Sequence, residues 1–183
     1  MSHSTMPRTL IDLLSPAQQH VLAAVRATAE REAAPAYLVG GAVRDWLLGR
    51  RIDDLDFAVE GDAIAFTRAL ARAHGGEVQS HERFHTATWI VQEQSVDVVT
   101  ARAETYARPA ALPQVRPASI TDDLLRRDFS VDALALALRD NRLIDVCDGQ
   151  GDLLRRLIRA LHARVDRPRP AARGRAERRA RQI

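Results

Sequence analysis

At 183 residues the chain is long enough for one domain with its own core, and 46% hydrophobic against 28% charged residues excludes a disordered chain. Apolar runs are short and interrupted, which predicts no membrane-spanning helix. Met1 to Leu10 lacks the apolar core and cleavage site of a signal peptide, and the single cysteine, Cys147, excludes a disulfide framework and suits the cytoplasm. The net charge is +3 and lysine is absent, so every strong base is arginine. Arginine forks suit phosphate partners, and a G+C-rich coding sequence would produce the same bias.

The spacing predicts a first helix from Ser15, its cap, through Pro16 to about Glu32, with Val21, Leu22 and Val25 on one face. Pro35 breaks it, and Tyr37-Leu38-Val39 reads as a short buried strand running into Gly40-Gly41. A second helix over Ala42 to Leu48 is stopped by Gly49. Leu55 to Val59 reads as a strand, and Gly61-Asp62 opens an amphipathic helix to about His74. After a Gly75-Gly76 turn, Thr86 to Gln92 and Ser95 to Ala101 alternate as a hairpin around Glu93-Gln94. Arg102 to Ser119, with Pro109, Pro113 and Pro117, reads as a mobile loop. Helices are expected from Thr121 through Arg127, over Ser130 to Leu138 and over Gly151 to Arg156. Strands are expected at Leu143 to Val146 and Leu157 to Leu161. The pattern predicts an α+β or α/β domain. The chain is expected to divide into an N-terminal helical segment (1–35), the main unit (36–162) and an Arg/Pro-rich tail (163–183) that reads as disordered.

Asp54 and Asp56 stand two apart, the spacing at which strand side chains share a face. Two such carboxylates repel unless a cation lies between them. Magnesium, which takes oxygen ligands and completes its shell with water and phosphate, answers that need. A solvated turn is the other reading. Asp97, acidic among valines, is either a third carboxylate for the same site or an outward-facing residue on a half-exposed strand. Gly40-Gly41 between strand and helix lets the backbone approach phosphate, with Arg44 one turn on, or makes a plain tight turn. Arg126 and Arg127, before Asp128, are either solvated or contacts for nucleotide phosphate or sugar. His81 and His85 lack metal-ligand spacing, and Cys147 has no activating partner.

In combination these stretches resemble the head of class II CCA-adding enzymes and bacterial poly(A) polymerases, within the polymerase-beta-like nucleotidyltransferases. The resemblance rests on Tyr37-Leu38-Val39-Gly40-Gly41-Ala42-Val43-Arg44-Asp45, Leu47-Leu48-Gly49-Arg50 and Asp54-Leu55-Asp56. It continues through Leu124-Leu125-Arg126-Arg127-Asp128-Phe129-Ser130 and Leu143-Ile144-Asp145 before Gly149. It implies a head domain with a mixed, mostly antiparallel sheet flanked by helices, and transfer of AMP and/or CMP from ATP or CTP to the 3′ end of tRNA or RNA, with Mg2+. On that analogy Asp54 and Asp56 hold metal, Asp97 joins them in catalysis, and Gly40, Gly41, Arg44, Arg127 and Asp128 bind nucleotide. Two departures stand out. The family usually carries asparagine where this chain has Asp132, and an ionised aspartate cannot donate a hydrogen bond. Beyond Leu161, where the family continues into a helical neck, the sequence turns Arg/Pro-rich, as a truncation or frameshift would make it. The alternative to an enzyme is a catalytically silent nucleotide- or RNA-binding module. A tail that is genuine would grip RNA through arginine–phosphate contacts.

Overall fold

The computed structural model describes residues 9–105 and 114–162. Helix α1 (Pro16–Arg31) starts with a capping box: Ser15 Oγ accepts from the Gln18 amide while Gln18 Oε1 accepts from the Ser15 amide at 2.8 Å. β1 (Ala36–Val39) and α2 (Gly41–Leu47) follow, then β2 (Asp56–Val59) and α3 (Ala63–His74), which is capped by Asp62 Oδ1 on the Ile64 and Ala65 amides. Next come β3 (Glu77–His81), β4 (Thr86–Val91), β5 (Gln94–Thr100), β6 (Arg102–Thr105) and β7 (Gln114–Pro117). The described chain ends with α4 (Ile120–Leu125), β8 (Leu134–Ala137), β9 (Leu143–Asp145) and α5 (Gly149–Arg155). No helix among the described residues is long and apolar enough to cross a membrane.

Among the described residues seven strands form one sheet in the order β3-β4-β5-β2-β1-β8-β9. Only β2 and β5 run parallel, with α3 in the crossover between them; every other neighbouring pair is antiparallel. The mixed, mostly antiparallel sheet flanked by helices is therefore present. Alternate residues serve its two faces. Leu38, Phe57, Val59, Trp89, Val96, Val98, Leu134 and Leu136 pack with α1, α2 and α3 in the larger core. Val39, Ala58, Ala133 and Ala135 meet Ile120 and Leu124 of α4 on the other face.

Three expectations are corrected, and one strand is added. Ser130 to Leu138 is not a helix: Ser130–Asp132 is a 3₁₀ turn and β8 follows, buried along its whole length. Leucine and alanine favour helix, but here leucines fill the larger core and alanines the smaller, so packing on both faces overrides propensity. Within the stretch read as a loop, Arg102–Thr105 and Gln114–Pro117 pair as a two-stranded ribbon; 106–113 lie outside the described residues. Leu157 to Leu161 is no strand, and only an isolated bridge joins Ala160 to Phe129. The edge strand β3, mostly exposed and polar, carries no apolar alternation and went unpredicted. The expected tail (163–183) lies outside the described residues.

Candidate active site

Strand register gathers the predicted site residues at one end of the sheet. β1 ends at Val39, which the antiparallel β1–β2 register sets across from Asp56, where β2 begins. On the other side of β2, Asp56 pairs with Asp97 of the parallel β5. Across β1, the Gly40 amide donates to the Leu134 carbonyl at 3.0 Å, so the 3₁₀ turn preceding β8 stands at the same end. Asp56 and Asp97 fall in the alternation of Ala58 and Val99, the face that packs against α4.

Gly40 is required for two independent reasons. Its φ of +67° lies where residues with a Cβ are strained, and a Cβ there would sit 2.7 Å from Arg127 Nη1. The glycine turn thus makes room for the arginine of a motif far along the chain. Gly40→Ala is expected to cost about 1–3 kcal/mol of stability through backbone strain and to displace Arg127, checked by urea denaturation and by nucleotide binding.

Arg44 projects from α2 and is held from two sides. Its Nε and Nη2 fork onto Asp45 at 3.0 and 3.2 Å, and its Nη1 donates to Asp132 Oδ1 at 2.6 Å. Burial alone would lower the Arg44 pKa; the Asp45 hydrogen bonds and the Asp132 charge outweigh it, and the net shift is upward. Arg44 is therefore a permanent cation at the mouth of the glycine turn.

Asp54 precedes β2 rather than standing in it. Burial nonetheless alternates from exposed Asp54 through buried Leu55 to half-buried Asp56. The segment leading into Asp54 is pinned by Gln18 of α1, whose buried amide donates to the Ile52 and Asp53 carbonyls at 2.9 and 3.0 Å. Asp97 is exposed and accepts from Thr88 Oγ1 at 2.7 Å. Its side chain is exposed, and in the strand register it stands beside Asp56. Among the described residues no three carboxylate, imidazole or thiol groups form a ready-made cage for a metal ion. The donors are nevertheless hard carboxylate oxygens, and magnesium is commonly bound by one or two of these with phosphate completing the shell.

Arg126 and Arg127 are not simply solvated. Asp123, fully buried in α4, accepts from Arg126 Nε and Nη2 at 3.0 and 2.7 Å and from Arg127 Nη2 at 3.2 Å. Arg127 Nη1 also donates to the Asp132 carbonyl at 3.3 Å, and its buried Nε has no hydrogen-bond partner among the described residues. Asp123 was missed in the sequence, although its i,i+3 and i,i+4 spacing to the two arginines is a helical pairing signal.

The half-buried Asp128 and its neighbours are strapped down from behind. The Leu161 amide donates to the Asp128 carbonyl and the Ser130 amide to the Arg159 carbonyl, at 2.9 and 3.0 Å. Buried Asp152 accepts from Ser130 Oγ at 2.5 Å, from Arg155 at 2.8 Å and from Arg159 Nε at 2.9 Å. The Ser130 hydrogen bond, then Arg155 and Arg159, hold the Asp152 carboxyl down at about 2. A carboxyl depressed on folding stabilises the fold above its ordinary range and loses that contribution as pH falls toward about 2. Asp152→Asn is therefore expected to be less stable than the native chain at pH 7, and the gap should narrow steadily as chemical denaturation is repeated from pH 5 down to pH 2.

Other candidates recede. His81 and His85 are exposed, and burial pushes the half-buried Cys147 thiol up, away from nucleophilic reactivity. A cavity of about 560 Å³ between α1 and the β8–β9 turn, lined by Arg26, Tyr37 and Arg142 among others, holds none of the site residues.

The chain is similar to known proteins over most of its length. Residues 36–159 match the model of the poly(A) polymerase head domain. An A-adding tRNA nucleotidyltransferase of Halalkalibacterium halodurans is 49% identical over 144 residues, covering 75% of this chain and 34% of its own length. A CC-adding tRNA nucleotidyltransferase of Deinococcus radiodurans is 45% identical over 131 residues, covering 69% of this chain and 35% of its own length. The solved Thermotoga maritima CCA-adding enzyme complexed with tRNA superposes with a TM-score of 0.71 at 32% identity, over 84% of this chain and 35% of that one. The chain thus spans about a third of the length of these relatives. It belongs to the poly(A) polymerase head domain family.

Proposed function

We propose that the chain is the head of a template-independent nucleotidyltransferase that transfers AMP and/or CMP from ATP or CTP to the 3′ end of tRNA or RNA. The observation that carries this reading is the register of Asp56 with Asp97 at the sheet end that also holds Gly40, Arg44 and Arg127. Carboxylates able to hold cations thus stand at the same end as guanidiniums able to hold phosphate. The relatives named for adding A or CC to tRNA support the same substrates for this chain.

In this reading Asp54 and Asp56 hold Mg2+, and Asp97 stands beside them. Bound there, magnesium supplies activation of an attacking hydroxyl and stabilisation of the leaving pyrophosphate. The chain's own residues bind and orient. The Gly40-Gly41 turn admits the triphosphate close to the backbone. Arg44 neutralises its charge, and Arg127, with Asp128, contacts phosphate or sugar. Asp123 keeps Arg127 extended toward the turn, so its orientation is settled before nucleotide arrives. The absence of cysteine pairs suits a cytoplasmic setting.

The test is incorporation of labelled ATP and CTP, each alone and together, onto tRNA ending before, within and after its terminal CCA, with magnesium varied. Magnesium-dependent extension of the shortened tRNA supports the enzyme. The alternative reading is a catalytically silent nucleotide- or RNA-binding module. Magnesium-dependent nucleotide binding without extension would select it.

A further inference from the structure

Asp132 reaches both arginines of the site from the 3₁₀ turn Ser130–Asp132. Its Oδ1 accepts from Arg44 Nη1 at 2.6 Å, and its main-chain oxygen accepts from Arg127 Nη1 at 3.3 Å. Arg44 already carries Asp45 as a fork on Nε and Nη2. One guanidinium is thus flanked by two carboxylates, a local sum of −1 from Arg44, Asp45 and Asp132. Two carboxylates on one guanidinium weaken its pull on an incoming anion.

The two carboxylates are not equivalent. Asp45 is the next residue on the same helix and grips with both oxygens. Asp132 comes from 88 residues away, uses one oxygen, and leaves 34% of its side chain exposed. Its backbone is fixed, because the Asp132 amide donates to the Phe129 carbonyl while its own carbonyl accepts from Arg127. The side chain alone is able to turn out into solvent. Of Arg44's partners, it is the one a phosphate displaces at least structural cost.

We propose that Asp132 is a built-in competitor for the Arg44 guanidinium. It holds Nη1 until a nucleotide phosphate takes its place, and so sets nucleotide affinity below what Arg44 and Arg127 would otherwise give. The inference rests on the nucleotide-binding reading of Arg44 above and goes beyond it, in that one aspartate works against binding at the same site.

The measurement is equilibrium binding of a fluorescent ATP analogue with magnesium to the full chain and to Asp132→Asn, Asp132→Ala and Arg44→Ala. A competitor predicts that Asp132→Asn, which keeps an acceptor for Arg44 but loses the charge, binds about 3- to 5-fold tighter, the effect of one partly exposed charge. The gain should shrink at high salt. Asp132→Ala should also bind tighter. A brace that merely positions Arg44 predicts no change in Asp132→Asn and weaker binding in Asp132→Ala; either result overturns the proposal. If Arg44→Ala loses binding while Asp132→Asn matches the native chain, the competitor role alone fails. If Arg44→Ala binds like the native chain, the nucleotide reading of Arg44 falls with it.

Discussion

Replacing Asp56 with asparagine is expected to reduce nucleotide incorporation on the order of 10³-fold or more, the scale on which a group stabilising transition-state charge acts. Thermal unfolding should change little by comparison. Asparagine keeps the size of the side chain at the head of β2 and removes the charge that a cation needs. Asp54→Asn should behave alike, with still less structural effect because Asp54 is exposed. Asp97→Asn should lose less, since Asp97 is already bonded to Thr88 and stands one strand away from the pair. Primer-extension assays with labelled ATP or CTP would rank the three. Equal activity in Asp56→Asn and the native chain would remove these aspartates from the chemistry.

The largest effect on stability is expected at Asp123. Its carboxylate is fully buried and is shared by two arginines whose side chains are only 23% and 20% exposed. Asp123→Ala leaves both guanidiniums facing a cavity and removes the acceptor for the Arg102 amide. Loss of one partner from such a buried cluster costs about 3–5 kcal/mol. Denaturant titration should register that loss. Nucleotide binding by the folded fraction should weaken as well, because Arg127 loses the contact that holds it beside Gly40. Asp123→Asn should fall between, since its oxygen still accepts while its charge is gone. A Asp123→Ala chain as stable as the native one would mean that solvent replaces the carboxylate without penalty.

Local signals were legible where a short stretch of chain decides the structure. Ser15-Pro16 starts α1, Asp62 starts α3, and the alternation on either side of Glu93-Gln94 marks the β4–β5 hairpin. The glycine turn, the aspartate pair and the Arg-Arg-Asp phrase were visible for the same reason. β8 was misread because its leucines and alanines are good helix formers; the spacing of Leu134, Leu136 and Leu138 by two was the signal for a strand. β3 was invisible because an exposed edge strand needs no apolar face. The partners that orient the arginines were harder still. Arg44 meets Asp132 across 88 residues, and Gln18 reaches Ile52 across 34; nothing local announces either bond.

The proposed site brings carboxylates that would hold metal together with guanidiniums that would hold phosphate at one end of the sheet. Manganese, a paramagnetic substitute for magnesium, tests this directly. Its free-ion electron paramagnetic resonance signal, titrated with the full chain in the presence and absence of ATP, reports metal and nucleotide together. ATP is expected to tighten manganese binding in the native chain, and Asp54→Asn with Asp56→Asn should abolish the tightening. Arg44→Ala should weaken it. Undiminished nucleotide-dependent manganese binding in the double aspartate variant would mean that Asp54 and Asp56 do not hold the metal.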